Sequence, residues 1–131
     1  MTSQSVDLNR LPFSDNSVAS LSCMHTVEHI GLGRYGDKID PRGDLKAMAE
    51  LARVLAPGGN LLLAVPVGQP RICFNAHRIY SFEQIVSSFP TLALREFTLI
   101  SEKEKTMIRP ADPKLVKVER YGCGCFWFVK K

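Results

Sequence analysis

The sequence predicts a single α/β layered domain with the element order β-α-β-α-β-β. Two short runs of small and apolar residues, Val18–Met24 and Asn60–Pro66, are typical of buried strands. The segment between them carries apolar residues at helical spacing, so the three together form a strand–helix–strand unit. Near the C-terminus, residues 123–129 are a dense run of β-forming residues and predict a last strand.

The first strand follows a polar loop at residues 11–17, and its composition predicts that both of its faces are buried. Asp40 and Pro41 predict the helix start, with Asp as N-cap and Pro in the first turn. The apolar face of this helix comprises Leu45, Met48, Leu51, Ala52 and Leu55. The opposite face, which we expect in solvent, comprises Lys46, Glu50 and Arg53. The Pro-Gly-Gly run at 57–59 then ends the helix before the second strand.

The second half of the chain predicts one more helix and two more strands. Ser81 and Gln84 have the spacing of a capping box, and Pro90 ends the helix that they begin. Residues 92–100 predict the third strand. Residues 101–122 are mostly polar and predict a long excursion before the last strand.

Composition narrows the class of protein. The chain has 131 residues, 45% hydrophobic and 23% charged, which predicts one globular domain spanning residues 1–131. We find neither a membrane-spanning apolar run nor the pattern of a signal peptide, so we expect a cytoplasmic protein without membrane contact. The net charge of +4 is not concentrated in a basic stripe with interleaved aromatics, so nucleic acid is not an expected partner.

The four cysteines are Cys23, Cys73, Cys123 and Cys125. We interpret them as reduced thiols that are mostly buried as small hydrophobic residues. The one-residue gap between Cys123 and Cys125 is a poor chelate spacing, and we predict no metal site.

Two well-known motifs lie side by side in this sequence. Residues 25–29 (HTVEH) fit the H-x-x-E-H pattern of a zinc hydrolase, and residues 31–36 fit the G-x-G-x-x-G of dinucleotide binding. The zinc pattern needs a long helix, but here it directly follows a strand and meets Gly31 two residues later. The glycine pattern should follow a strand and open a helix. We expect these glycines to form a helix C-cap and a loop instead. A zinc hydrolase remains the third functional hypothesis.

Two longer blocks of sequence resemble class I S-adenosylmethionine (SAM)-dependent methyltransferases. The first runs from Asp7 through LPFSDNS to the Val27-Glu28-His29-Ile30 turn. The second is ELARVLAPGG at 50–59, followed by the strand Asn60–Pro66. Together they cover roughly residues 7–66, in the order and at about the spacing of that family. The stretch FNAHRIY at 74–80 resembles an uncharacterised methyltransferase-like branch rather than the well-studied enzymes.

The resemblance implies a partial Rossmann-like sheet with flanking helices. In the family's seven-stranded sheet, residues 18–24 match the fourth strand and 60–66 the fifth. Residues 92–100 match the sixth strand, and 123–129 match the seventh, which runs antiparallel. The first strand, its glycine-rich loop and the ribose-binding acid would precede Asp7. We therefore expect a domain that lacks the N-terminal cofactor-binding half. The fourth strand would then be a bare edge that pairs with a second copy or with a completing chain.

The resemblance also implies site residues for a SAM cofactor. We expect half of that cofactor site to be missing. The cofactor-binding residues that it implies are Asp7, Leu8, Cys23, Met24 and His25. The substrate-binding candidates are Glu28, Asn75, His77, Arg78 and Tyr80, and the small-molecule substrate itself is not identified. Several of these follow the second strand at the edge where open α/β sheets bind ligands.

His25 and His29 are the candidate catalytic bases, because a histidine accepts protons near neutral pH. Three alternatives remain open. Glu28 and His29 could instead fix the loop backbone, Arg78 could be a surface loop cation, and Asp37 and Asp40 could be turn and cap residues. Our leading hypothesis is a methyltransferase-like protein that lacks activity by itself. The second is a non-catalytic remnant of the fold that dimerises or binds a partner.

Overall fold

The computed structural model describes residues 7–32, 39–73 and 77–131. Its seven strands are β1 (Val18–Met24), β2 (Leu55–Val67), β3 (Arg71–Cys73), β4 (His77–Ile79), β5 (Leu92–Ser101), β6 (Thr106–Ile108) and β7 (Gly122–Lys130). Its helices are α1 (Gly43–Val54) and α2 (Phe82–Ser87), with 3-10 turns at Val27–His29 and Pro113–Val118. Among the residues described, no helix combines the length and apolar character needed to cross a membrane.

Five strands form one sheet in the order β1-β2-β7-β5-β6, and β3 pairs with β4 as a separate hairpin. β1 and β2 are parallel, whereas β7 runs antiparallel to both of its neighbours, β2 and β5. The order matches the fourth, fifth, seventh and sixth strands that the resemblance implied. The predicted fold class, a partial Rossmann-like sheet with an antiparallel last strand, is confirmed.

One face of the sheet carries the hydrophobic core. Alternate residues of β2, β5 and β7 point to this face, since side chains in a strand alternate between the two sides of the sheet. Phe126 and Phe128 are at most 1% exposed. The ring of Phe82 at the start of α2 lies 5.1 Å from Phe97 and 5.8 Å from Phe126, and Phe89 lies 4.9 Å from Phe128. These aromatic contacts fasten α2 to the sheet.

The opposite face of the sheet is open, which corrects the expectation that β1 is buried on both sides. Only Cys23 of β1 is fully buried. Leu62 of β2 and Trp127 of β7 are paired in register and are 43% and 39% exposed. Periodicity cannot distinguish a strand covered on one side from one covered on both, because small residues such as Ala and Ser tolerate either environment.

The first helix begins later than predicted. Asp40 does not act as its N-cap; the Asp40 carboxylate accepts a hydrogen bond from the Arg42 amide (3.0 Å), and its carbonyl accepts one from Gly43 (3.0 Å). This turn contains Pro41, and α1 starts only at Gly43. Leu45, predicted on the apolar face, is 42% exposed, because the buried face of α1 is formed instead by Asp44, Ala47, Met48, Leu51 and Val54.

The second strand begins earlier than predicted, at Leu55 rather than Asn60. Residues 57–59 therefore lie within β2, where they form an irregularity in its pairing with β1. A Cβ atom on Gly59 would lie 2.7 Å from the carbonyl oxygen of Ala56 and 2.9 Å from that of Ala19. Only glycine fits this close approach between the two strands.

Glu50 and Arg53 do not form a purely solvated face of α1, as we had expected. Arg53 pairs with Glu50 (2.7 Å) and Asp15 (2.7 Å) and donates to the carbonyls of Leu11 (3.1 Å) and Phe13 (2.9 Å). The Leu11 amide donates to Glu50 (2.8 Å). The glutamate and arginine of the ELAR segment thus hold the preceding LPFSD segment against the helix, which connects the two blocks of sequence resemblance in space.

The start of α2 and the excursion after β5 agree closely with the sequence. Ser81 and Gln84 form the predicted capping box at the start of α2, with both reciprocal hydrogen bonds present. The predicted polar excursion of residues 101–122 contains β6, which pairs with β5, and the second 3-10 turn.

Candidate functional site

The site is built on the sharp turn at the carboxyl end of β1. The His25 amide still donates to the Ala64 carbonyl of β2 (2.8 Å), but the φ of His25 is +53°, in the left-handed region. That conformation is uncommon for a residue with a side chain and often marks a functional turn. The chain then makes a single 3-10 turn, Val27–His29, in which Val27 and Glu28 are buried.

Glu28 lies between two imidazoles. One of its carboxylate oxygens (Oε2) lies 3.6 Å from His25 Nδ1 and 3.7 Å from His29 Nε2. The residue is 1% exposed, and its other oxygen, Oε1, has no hydrogen-bond partner. Burial raises the pKa of the Glu28 carboxyl, and the two nearby histidines oppose that rise only partly. A buried carboxylate that orients two imidazoles is suited to proton transfer.

Strands β4 and β7 add aromatic side chains to this turn. The imidazole of His77, at the start of β4, lies 6.1 Å from that of His29. The ring of Tyr121, directly before β7, packs edge-on against His77 at 5.4 Å. The structure therefore brings His77, which is distant in sequence, to the turn that carries His25 and His29. All three were predicted site residues. The tyrosine was not predicted, because nothing in the local sequence distinguishes it from a loop aromatic.

Cys123 and Cys125 are further side chains of the site that the sequence analysis missed. The Sγ atom of Cys123 lies 3.5 Å from His25 Nε2 and 4.0 Å from the Sγ atom of Cys125. Both thiols are half-buried, which corrects their interpretation as buried hydrophobic residues; of the cysteines whose side chains are described, only Cys23 fits it. The signal was present: residues i and i+2 of a strand point to the same face.

The two thiols influence each other's titration. A hydrogen bond from Cys123 lowers the pKa of Cys125 to about 7, against the effect of burial. The same bond, together with burial, raises the pKa of Cys123.

Arg78 and Tyr80 lie in a buried polar network beside the site. The Arg78 guanidinium donates to the Ile30 carbonyl (2.5 Å) and pairs with Asp44 on α1 at 3.6 Å. It also reaches the carbonyls of Asp40 and Pro41, at 3.4 and 3.5 Å. The Tyr80 hydroxyl donates to Asp44 (2.8 Å). This geometry supports a structural role for both side chains.

Gly31 follows Ile30, whose carbonyl Arg78 contacts, and it pairs with Asp40. It adopts a φ of +82°, and its carbonyl accepts a hydrogen bond from the Asp40 amide (2.8 Å). A Cβ atom here would lie 2.0 Å from the Asp40 carbonyl oxygen, so no other residue fits. Residues 33–38, which include the rest of the G-x-G-x-x-G pattern and Asp37, lie outside the described residues, as does Asn75.

The H-x-x-E-H residues do not lie on a common helix. His25 precedes the 3-10 turn in a left-handed conformation, so the two histidines are not one helical turn apart. Within residues 7–32, 39–73 and 77–131, no group of three or more His, Cys, Asp or Glu side chains is arranged to hold a metal ion.

Of the remaining predicted cofactor residues, Cys23 and Met24 are the last two residues of β1. Cys23 is buried, and burial raises the pKa of its thiol; Met24 is exposed on the open sheet face. Asp7 is exposed, and one of its carboxylate oxygens accepts a hydrogen bond from the Asn9 amide (2.9 Å). Leu8 packs against the core.

Two cavities flank the sheet. A groove of about 280 Å³ on the open face is lined by Met24, Leu62, Cys125 and Trp127, among others, and so adjoins the histidine cluster. A larger cavity of about 390 Å³ lies in the helix layer beside Arg78 and Tyr80. The groove is the better candidate for ligand access, because its lining includes Met24, which directly precedes His25, and Cys125, whose sulfur lies 4.0 Å from that of Cys123.

Residues 12–107 match the model of a family described as Caenorhabditis protein of unknown function, DUF268. No curated protein matches the chain in sequence.

Solved structures share its fold at low sequence identity. A geranyl diphosphate C-methyltransferase of Streptomyces coelicolor, bound to S-adenosylhomocysteine, is 10% identical with a TM-score of 0.65, over 98% of this chain and 52% of that one. The (4+2)-cyclase SpnF is 16% identical with a TM-score of 0.64, over 97% and 54%. A Haloferax volcanii protein in complex with the Trm112 methyltransferase activator is 19% identical with a TM-score of 0.58, over 95% and 59%.

These likenesses confirm the resemblance to class I methyltransferases at the level of the fold. The chain spans slightly more than half the length of each of these three structures. Because a cyclase has the same fold, the fold does not by itself specify the reaction.

Proposed function

The chain belongs to the DUF268 family, and we propose that it is a SAM-dependent methyltransferase-like protein. The observation that carries this proposal is the position of the histidine cluster within the sheet. β7 lies antiparallel between β2 and β5, in the order of the methyltransferase sheet, and His25 follows β1 at the carboxyl edge of the parallel strands. Ligands of open α/β sheets bind at that edge.

The proposed cofactor site lies along the end of β1. Asp7 would accept the adenine amino group, with Leu8 beside the ring, while Cys23, Met24 and His25 would line the cleft. Among the fold neighbours, the geranyl diphosphate C-methyltransferase is bound to S-adenosylhomocysteine. The glycine-rich loop and the ribose-binding acid implied by the resemblance would come from a completing segment or chain.

The proposed proton acceptor is His25, with Glu28 and His29 in support. The Nδ1 side of His25 faces the Glu28 carboxylate, which favours a proton on Nδ1 and leaves Nε2 as the acceptor. His77 would line the part of the site that holds the methyl-accepting substrate. Asn75 remains a predicted substrate residue.

Calorimetric titration with S-adenosylhomocysteine tests the cofactor site. We expect binding, and we expect Asp7→Ala to weaken it roughly tenfold or more through loss of a charged hydrogen-bond acceptor. Glu102→Ala is the matched control, since Glu102 is also an exposed carboxylate but lies in the excursion after β5. Circular dichroism of each variant verifies that it is folded. Absence of binding at millimolar ligand would refute the cofactor proposal for this chain.

A second candidate function, a non-catalytic binding module, is supported by the position of β1. β1 is the end strand of the sheet, and no described strand pairs with its outer edge. The His25 amide points to β2, so by alternation the amide of exposed Ser22 and those of its even-numbered neighbours point to the outer edge. The partner would be a second copy or a completing chain.

Light scattering after size-exclusion chromatography tests edge pairing. A dimer that dissociates in Ser22→Pro, which removes an edge donor, supports the module. Ser22→Ala is the matched control and should remain dimeric. A monomeric wild-type chain would refute pairing with a second copy. The cytoplasmic location is part of both proposals, because it keeps the thiols of the site reduced.

A further inference from the structure

We propose that Cys123 and Cys125 form a redox-active thiol pair, assisted by His25, that a peroxide converts to a disulfide and a dithiol restores. The proposal requires neither methyl transfer nor SAM. It follows from the placement of two sulfur atoms and one imidazole, which originate on opposite sides of β2.

The geometry of β7 brings the sulfur atoms together. Cys123 and Cys125 are separated by Gly124, so both point to the open face of the sheet, with their Sγ atoms 4.0 Å apart. Both are half-buried, and Cys125 lines the groove on that face. A small oxidant can therefore reach Cys125 without unfolding of the sheet.

His25 completes the pair from the neighbouring turn. Its Nε2 atom lies 3.5 Å from the Sγ atom of Cys123, on the side opposite to the Glu28 carboxylate. Glu28 is buried, and its Oε2 atom lies 3.6 Å from His25 Nδ1, so the carboxylate can balance a positive charge on His25. Together, carboxylate, imidazole and thiol form a relay that can remove the proton from Cys123.

The reaction proceeds in two balanced steps. The Cys125 thiolate, which is accessible near neutral pH because its pKa is about 7, attacks one oxygen of hydrogen peroxide. The O–O bond breaks, a sulfenic acid forms on Cys125, and hydroxide leaves to be protonated to water. Cys123 then transfers its proton to His25 and attacks the Cys125 sulfur. The S–O bond breaks, and its oxygen leaves as a second water molecule once protonated.

The product is expected to be easily reduced. A disulfide requires an S–S distance of roughly 2.05 Å and a Cβ–Cβ distance of roughly 3.5–4.5 Å, so closure needs a local bend of β7 at Gly124 as well as side-chain rotation. Residues i and i+2 of a strand have Cα atoms roughly 6.6 Å apart, near the upper end of the range that a disulfide spans. A strained disulfide of this kind belongs to the labile class, which cycles between states rather than fixing the fold.

Peptide mass spectrometry can follow the pair separately from the other cysteines. Cleavage after Arg120 and Lys130 releases residues 121–130, which contain both thiols, while Cys23 and Cys73 fall in other tryptic peptides. After treatment of the folded chain with equimolar hydrogen peroxide, we expect this peptide to lose two hydrogens and to resist iodoacetamide. Dithiothreitol should restore two alkylatable thiols. Buried Cys23 is the internal control and should not be consumed.

Three variants separate the steps. Cys123→Ser should stop the reaction at a Cys125 sulfenic acid that dimedone traps, and Cys125→Ser should react with peroxide much more slowly. His25→Gln should leave sulfenic acid formation intact and slow disulfide closure roughly tenfold or more, because a positioned base is lost. A merely structural histidine would alter both steps or neither.

The proposal is overturned if the 121–130 peptide retains two alkylatable thiols after peroxide treatment. It is equally overturned if Cys125 is oxidised beyond sulfenic acid without forming the disulfide, or if the disulfide joins two chains. Equal rates of closure in the folded chain and in concentrated urea would also refute it, because the fold would then contribute nothing.

Discussion

Replacing Arg78 with methionine tests whether this side chain stabilises the fold or binds an anionic substrate. The side chains of Arg78 and Asp44 are 6% and 7% exposed and lie 3.6 Å apart. Removal of the guanidinium leaves the Asp44 carboxylate buried with the Tyr80 hydroxyl as its remaining hydrogen-bond donor. It also removes the donor to the Ile30 carbonyl.

Breaking a buried ion pair by deleting one partner costs about 3–5 kcal/mol. For a chain of this size, that loss corresponds to a fall of roughly 10–20 °C in melting temperature. Circular dichroism during urea and thermal unfolding measures both quantities. The matched control is Arg71→Met, on the neighbouring strand β3, because Arg71 is exposed. That substitution should change stability by less than about 0.5 kcal/mol.

A double variant identifies the cause of the loss. Asp44→Asn combined with Arg78→Met removes both charges and leaves the Tyr80 hydroxyl a side-chain acceptor. It should recover more than half of the stability lost in Arg78→Met alone, because no unpaired charge remains buried. If Arg78→Met is as stable as Arg71→Met, the structural interpretation is wrong, and the substrate role predicted from the sequence is the better explanation.

Three further predictions concern stability. Glu28→Gln should be more stable than the wild type at neutral pH. Burial raises the pKa of Glu28 in the folded state. The contribution of this carboxyl to stability is therefore fully present below its ordinary pKa of 4.5 and is lost as the pH rises through the raised value. Equal stabilities of the two proteins at pH 7 in urea titrations would contradict this. Glu50→Gln should flatten the acid side of the stability profile. Arg53 lowers the pKa of Glu50, so its contribution is present above pH 4.5 and is lost as the pH falls through the lowered value; an unchanged acid midpoint would show that the pair contributes nothing. Phe126→Ala should cost about 3–5 kcal/mol of unfolding free energy, whereas Phe13→Ala, at a position 40% exposed, should cost far less, and similar losses would refute the described core.

The elements of this fold were largely predictable from local sequence. The bounds of β1 are those predicted, and the capping box of α2 forms as its residues suggest. Both depend on interactions between residues close together in the chain, namely β-propensity over a short run and hydrogen bonds across one helical turn. The family resemblance then supplied the strand order, including the antiparallel β7, which no local pattern specifies.

The site was predictable only in part. The sequence identified His25, Glu28 and His29 as a group because they lie within one five-residue pattern. Cys123 reaches His25 across 98 positions of sequence. Only the pairing of β7 with β2, and of β2 with β1, brings the two residues to the same edge.

The sequence by itself therefore determined both helices and four of the seven described strands, in their order, and the chemistry available at the turn after β1. Tertiary structure alone decided which side of each strand is covered, and so left Met24 and Trp127 exposed while burying Phe126. It likewise buried Arg78, a predicted substrate residue, beside Asp44, and it placed Cys123 next to His25. The physical reason is that burial and long-range contacts depend on what packs against a residue, and a linear pattern specifies only how a residue relates to its neighbours in the chain.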